Sequence, residues 1–165
     1  MTNNAQNKSR IKIIVPDADS TEAMLKIERK CFGLNAWSRD GIYHFICDEY
    51  SHTLCAATED GAIIGYAGAS VICGEAEITN VAVLPEYRRL GAGRLMMTAL
   101  ETRFAALGVM LALLEVRSKN LPAIGLYTSL GYSEYGRRRS YYTFPRDDAI
   151  LMKKTFEMKE VLARI

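Results

Sequence analysis

The stretch from Val81 to Arg94 constrains the fold more than any other part of this chain. Val81-Ala82-Val83-Leu84 is an apolar run ended by Pro85. A basic loop, Arg88-Arg89-Leu90-Gly91-Ala92-Gly93-Arg94, follows it, and Leu95-Met96-Met97-Thr98-Ala99-Leu100 then reads as helix. A strand that feeds through glycines into a helix N-terminus makes an anion site. The glycines let backbone N–H groups come close, and the helix end adds partial positive charge. Arg88, Arg89 and Arg94 add side-chain charge, so the expected ligand bears phosphate. Two common phosphate loops are excluded. A Walker A loop needs Gly-Lys-Ser/Thr where Gly93-Arg94-Leu95 stands, and a dinucleotide fingerprint needs a glycine at Met96 inside a βαβ unit.

The rest of the chain supplies a mixed α/β pattern. Ile11–Val15 reads as a strand. Thr21 to about Cys31 reads as a helix capped by Asp19 or Ser20, with Ala23, Met24, Ile27 and Cys31 at helical spacing. Ser38 caps a second helix carrying Ile42, Phe45 and Ile46. Strands follow over Thr53–Thr58, Ala62–Ile72 and Glu77–Leu84, the first two joined by the hairpin turn Glu59-Asp60-Gly61. The helix from Gly93 to about Leu107 is expected to bury Met96, Leu100, Phe104 and Leu107, with Gly108 closing it. Met110–Val116 is a nearly continuous apolar strand of the kind buried on both faces, parallel to the strand before the helix. Asn120-Leu121-Pro122 opens a further helix that Gly131 ends. Tyr132–Arg137 and Ala149–Met152 are the last strands, and 156–165 has the pattern of a short amphipathic helix. The domain limits expected are a flexible lead over 1–10, one folded domain over 11–154 and a helical tail over 155–165.

A length of 165 residues suits one domain with a proper core. The net charge of +2 is too small to point to nucleic acid. The first ten residues are polar and no run reaches the length of a membrane span, so a cytoplasmic protein is expected. The cysteines, Cys31, Cys47, Cys55 and Cys73, form no C-x-x-C pair and read as reduced thiols. His44 and His52 have no zinc-ligand spacing, and no metal is expected.

Chemistry points to two residues near the second half of the chain. Glu115 ends the apolar strand. Desolvation there would push a carboxylate toward the range of a general base, unless it pairs with Arg117 or another cation and is structural. Tyr127, one helical stretch later, is either a core residue or a phenol able to protonate a departing thiolate. Arg117 reads as structural. Asn120 reads as a helix cap, which is compatible with contacting a ligand.

Taken together, Asn80-Val81-Ala82-Val83, Arg88 to Arg94, Leu114-Glu115-Val116-Arg117-Ser118-Lys119-Asn120, Ala123-Ile124-x-Leu126-Tyr127-x-Ser129-Leu130-Gly131-Tyr132, Arg138-Arg139-x-Tyr141-Tyr142 and Asp148-Ala149-Ile150-x-Met152 resemble the GNAT acetyltransferases. Within that family they resemble the ribosomal-protein alanine N-acetyltransferases of bacteria, the RimI type, and are also similar to the catalytic subunits of eukaryotic and archaeal N-terminal acetyltransferases. Ile27-Glu28 and Trp37-Ser38 add weaker likeness. The resemblance implies a GNAT fold: a mixed central sheet, antiparallel at first with a parallel pair at the cofactor cleft, flanked by helices. It implies acetyl-CoA as cofactor and a protein or peptide N-terminus as acceptor, with direct attack in a ternary complex. Val81, Ala82 and Val83 would hold the pantetheine arm. Arg88, Arg89, Leu90, Gly91, Ala92, Gly93 and Arg94 would hold the diphosphate, and Asn120, Ala123 and Leu126 would contact the cofactor. Glu115 would be the base and Tyr127 the acid, while Trp37, Asn80, Tyr141 and Tyr142 would meet the substrate. No direct partner among nucleic acids or membranes is expected, and the chain is expected to be a monomer or weak dimer. Departures lie at Ser140, where the family often has Asn, and over Thr143–Asp147. These bear on substrate identity more than on chemistry. The alternatives are transfer to a lysine or a small amine, and a non-catalytic acyl-CoA sensor; retention of Glu115 and Tyr127 argues against the sensor.

Overall fold

The computed structural model describes residues 10–157. Its seven-stranded sheet has the order β1-β2-β3-β4-β5-β7-β6, with β1 (Lys12–Ile14), β2 (Ser51–Ala57), β3 (Ile63–Ile72), β4 (Glu75–Val83), β5 (Leu111–Arg117), β6 (Ser133–Tyr142) and β7 (Asp147–Thr155). The helices are α1 (Thr21–Phe32), α2 (Arg39–Cys47), α3 (Ala92–Ala106) and α4 (Leu121–Ser129). The β-α-α-β-β-β-α-β-α-β-β order and the antiparallel-to-parallel change are those expected from the sequence. Among the described residues, no helix is long and apolar enough to cross a membrane.

The chain forms two compact units. The first holds the described residues up to Ala69 together with Asn80–Glu101. Here β1 pairs antiparallel with β2, Ile13 opposite Ala56. Ser20, not Asp19, stands at the N-cap of α1, without a side-chain cap bond. The 3-10 turn before it is capped by Asp17, whose carboxylate accepts the Ser20 N–H at 3.1 Å while Ser20 Oγ accepts the Asp17 N–H, a reciprocal capping box that occupies the Ser20 side chain. Met24, Leu25 and Ile27 of α1 are buried with Ile42, Cys55, Tyr66, Ala82 and Leu84 as one core. Ser38 caps α2 as expected, accepting the Gly41 N–H at 3.1 Å. Gly65 is required by packing, since a Cβ there would stand 2.7 Å from the Ala82 carbonyl oxygen.

The second unit holds Ser70–Thr79 and the chain from Thr102. Glu75–Ile78 of β4 runs parallel to Leu111–Leu114 of β5. On its other side β5 is antiparallel to β7, with Glu115 opposite Leu151 and Arg117 opposite Ala149. Along β5, Ala112, Leu114 and Val116 are buried, while Leu111, Leu113, Glu115 and Arg117 are half-buried. The expectation of burial on both faces is therefore corrected: one face is covered and the other only partly so. Met110 precedes the strand and is exposed. The strand β6 ends the sheet and is exposed along almost its whole length, which explains how it carries three consecutive arginines.

In α3 the buried apolar residues are Ala92, Met96, Met97, Leu100, Phe104 and Ala105. Leu107 falls beyond the helix end and is 45% exposed, so it is not the core residue the spacing suggested. Its N–H still makes the last helical bond, to the Arg103 carbonyl at 3.1 Å, while the residue itself stays outside the core. Gly108 follows with φ +70°, as a C′ glycine does. At the other end of the second unit, β7 runs through Thr155. Phe156 then packs on Phe104 at 6.5 Å, and its N–H donates to the Met110 carbonyl at 2.9 Å. Most of the helix expected over 156–165, and nearly all of the lead over 1–10, lie outside the described residues.

Candidate active site

In the first unit the site begins where β4 ends. The Arg88 Nε–H donates to the Val83 carbonyl at 3.0 Å, and the Cys31 thiol reaches the same oxygen at 3.4 Å. Arg88 thus folds the basic loop back onto its strand. Arg89 and Gly91 both adopt left-handed backbone, φ +65° and +86°. The first full helical bond of α3 runs from the Leu95 N–H to the Gly91 carbonyl at 3.0 Å, so the N–H groups of Ala92, Gly93 and Arg94 precede it. Such helix-start donors carry the positive end of the helix dipole. Together with the exposed Arg88, Arg89 and Arg94 they fit an anionic diphosphate. A Cβ at Gly91 would meet no atom of the chain within 4 Å, so conformation is what selects glycine there.

Asn80 and Trp37 come together in the same unit, through a residue the sequence marked only weakly. Glu28 of α1 is completely buried. Its carboxylate accepts the Trp37 N–H at 2.7 Å, the Asn80 side-chain amide at 2.9 Å and the Tyr66 hydroxyl; the amide also donates to the Tyr66 oxygen at 2.8 Å. Three neutral donors offset the desolvation of this charge. Burial, then the Glu28 charge, push the Tyr66 phenol well above its ordinary range. The Trp37 ring is half-buried, edge-on to Phe45 at 5.0 Å. The sequence signal for Glu28 was its place, one residue after Ile27 and four after Met24, on the face α1 buries.

In the second unit Glu115, Tyr127, Tyr141 and Tyr142 are gathered. The Glu115 side chain is 27% exposed and ion-pairs with Arg138 of β6. The apolar desolvation expected around it is corrected accordingly: an arginine on the neighbouring hairpin, not a hydrophobic wall, is its main surrounding. Tyr141 hydrogen-bonds Glu115, and this bond to a carboxylate raises the phenol. Tyr142, ring edge to Tyr141 at 5.1 Å, is half-buried, and desolvation followed by the Glu115 charge raises its phenol. Tyr127 is buried in α4; burial first and Tyr142 second push its phenol up, keeping it protonated across the neutral range. The Arg117 guanidinium donates to the Phe144 and Pro145 carbonyls at 3.0 and 2.8 Å and lies 4.1 Å over the Tyr142 ring, the structural part foreseen for it. Asn120 caps α4, accepting the Ala123 N–H at 3.3 Å. Ala123 and Leu126 are half-buried on that helix. The partner of Glu115 was missed because an edge strand 23 residues away supplies it.

Residues 21–132 match the family model of the acetyltransferase (GNAT) family. The chain belongs to the GNAT acetyltransferases. Its relatives include the ribosomal protein bS18-alanine N-acetyltransferase of Escherichia coli K12, 41% identical over 103 residues, which cover 61% of this chain and 70% of the relative. A Bacillus subtilis protein provisionally given the same activity is 33% identical over 135 residues, 81% of this chain and 88% of its own. Among solved structures, the ribosomal-protein-S18-alanine N-acetyltransferase of E. coli superposes with a TM-score of 0.82 at 32% identity, covering 90% of this chain and 96% of that one. Two of the thiols are poor nucleophile candidates: burial raises Cys31 and pushes Cys55 up to about 12.

Proposed function

We propose that this GNAT enzyme is an acetyl-CoA-dependent N-acetyltransferase acting in the cytoplasm on the N-terminal α-amine of a protein, of the ribosomal-protein alanine type. The observation that carries the reading is the grouping of Glu115, Tyr127, Tyr141 and Tyr142 in one unit, with a carboxylate hydrogen-bonded by one phenol and a buried, protonated phenol nearby. The names of the relatives support the acceptor class.

Acetyl-CoA supplies an activated acetyl thioester; the chain supplies the rest. The loop Arg88–Arg94 binds the diphosphate through the first N–H groups of α3 and its arginines, and Val81–Val83 orient the pantetheine arm. Asn120, which caps α4, and Ala123 and Leu126 within it would contact the cofactor. Glu115, directly or through a water, accepts the proton of the acceptor amine, and Tyr127 holds the proton needed by the leaving thiolate. Asn80, Tyr141, Tyr142 and Trp37 position the acceptor. An α-amine has a pKa near 7.7–8.0 and a lysine near 10.4, so the α-amine reaches its nucleophilic form for roughly 3.5 kcal/mol less at neutral pH. A single carboxylate is adequate for the first task and weak for the second, which favours the chain end over lysine.

Glu115→Gln is expected to lower kcat by about two to four orders of magnitude, the usual share of general acid–base catalysis, with CoA affinity by calorimetry unchanged. Near-wild-type turnover in this variant overturns the base assignment.

A further inference from the structure

Three strands place one cation against Glu115. Glu115 stands opposite Leu151 on β7, and Leu151 stands opposite Gly136 on β6. Two residues along, Arg117, Ala149 and Arg138 form the next row on the same face. Gly136 offers no side chain in the row of Glu115, and Ala149 is small, so the route from Arg138 across β7 to the carboxylate is open. Arg138 takes it and forms the ion pair. The groups that face Glu115 are then Arg138, Tyr141 and Tyr142 from β6, apolar Leu151 from β7 and Arg117 from its own strand. Arg117 is committed elsewhere, to the Phe144 and Pro145 carbonyls and the Tyr142 ring. Arg137 faces the other way, 3.8 Å from both Glu134 and Asp148. Arg138 also lies 5.4 Å from the Tyr141 ring, and the Tyr141 side chain hydrogen-bonds the same carboxylate.

We propose that Arg138 is a positioning residue: it holds the Glu115 carboxylate in the orientation from which it takes the proton of the acceptor amine. This rests on the reading of Glu115 as the base. The Arg138 side chain is 53% exposed and that of Glu115 27%, and half-exposed ion pairs contribute little to stability. The contribution of the pair lies in geometry, where small misplacement of a reacting group is costly in rate.

A double-mutant cycle on the full chain tests this, with an acceptor peptide beginning in Ala. Arg138→Gln is expected to lower kcat about ten- to hundredfold with acceptor KM within about twofold, and with the melting temperature nearly unchanged. Arg138→Lys, which keeps the charge, recovers part of the loss and serves also if the Gln variant folds poorly. In a Glu115→Gln background, Arg138→Gln has no further effect, because the group it acts through is gone. A wild-type kcat in Arg138→Gln, or an equal loss with and without the Glu115 carboxylate, overturns the positioning role. Near-wild-type turnover in Glu115→Gln alone overturns the base reading instead, so the two failures are told apart.

Discussion

Ser140 shows how one residue records the strain of a functional strand. It sits in the register shift between Arg138 and Tyr142 with φ +51°. Its N–H donates to Asp148 Oδ1 at 2.8 Å, and its Oγ accepts from Arg146 Nε at 3.1 Å. A residue bearing Cβ pays about 1–2 kcal/mol in left-handed backbone, and Asn tolerates that region better than Ser. Ser140→Asn is expected to raise the unfolding free energy by about 0.5–1 kcal/mol in denaturant titrations. A loss of stability would show that the Arg146 bond outweighs the backbone strain. The identity of Glu115 as a candidate base was legible from its residue type and its place at a strand end. Its surroundings were not, because Arg138 reaches it only through the β5-β7-β6 order, which no local spacing encodes.

The strand–loop–helix element around Gly91 was the most legible part of the chain, since its signals are local: an apolar run, a glycine pair and a helix start. The structure adds that φ +86° at Gly91, rather than crowding by the chain, is what excludes other residues. Gly91→Ala is therefore expected to cost about 1–2 kcal/mol of stability. It should also weaken CoA more than pantetheine in calorimetry, because only CoA carries the diphosphate. Equal weakening of both ligands would remove the loop from the diphosphate site. Elements whose limits depend on partners were less legible. The apolar content of β5 suggested two covered faces, yet alternate residues are half-buried. The strand expected over Tyr132–Arg137 is present, but its arginine-rich continuation to Tyr142 was hidden, because an edge strand needs no apolar face to pair with β7. Likewise α3 buries Met97, while Leu107, just past its end, is exposed.

For the molecule as a whole, acid stability follows from a carboxylate of the second unit. The Asp147 carboxylate accepts the Ser118 hydroxyl at 2.7 Å and the N–H groups of Asp148 and Lys119 at 2.9 and 3.2 Å, tying β7 to the loop that enters α4. The Ser118 hydroxyl first, and the backbone donors after it, hold this carboxyl below the usual carboxylate range. A group depressed on folding stabilises above its unfolded pKa, about 3.9 for Asp, and that share is lost as pH falls through the lower folded value. Asp147→Asn is expected to melt lower than the wild type at neutral pH, with the gap closing below about pH 4. A gap that persists unchanged in acid would mean that the carboxylate charge is not what holds the loop. The enzyme's acceptor is the more direct question. The measurement that addresses it is fragmentation mass spectrometry of peptides that begin with free Ala and carry an internal Lys, after incubation with the enzyme and acetyl-CoA. The prediction is an acetyl group on the α-amine, with lysine modified much more slowly; acetylation mainly on lysine would contradict N-terminal transfer.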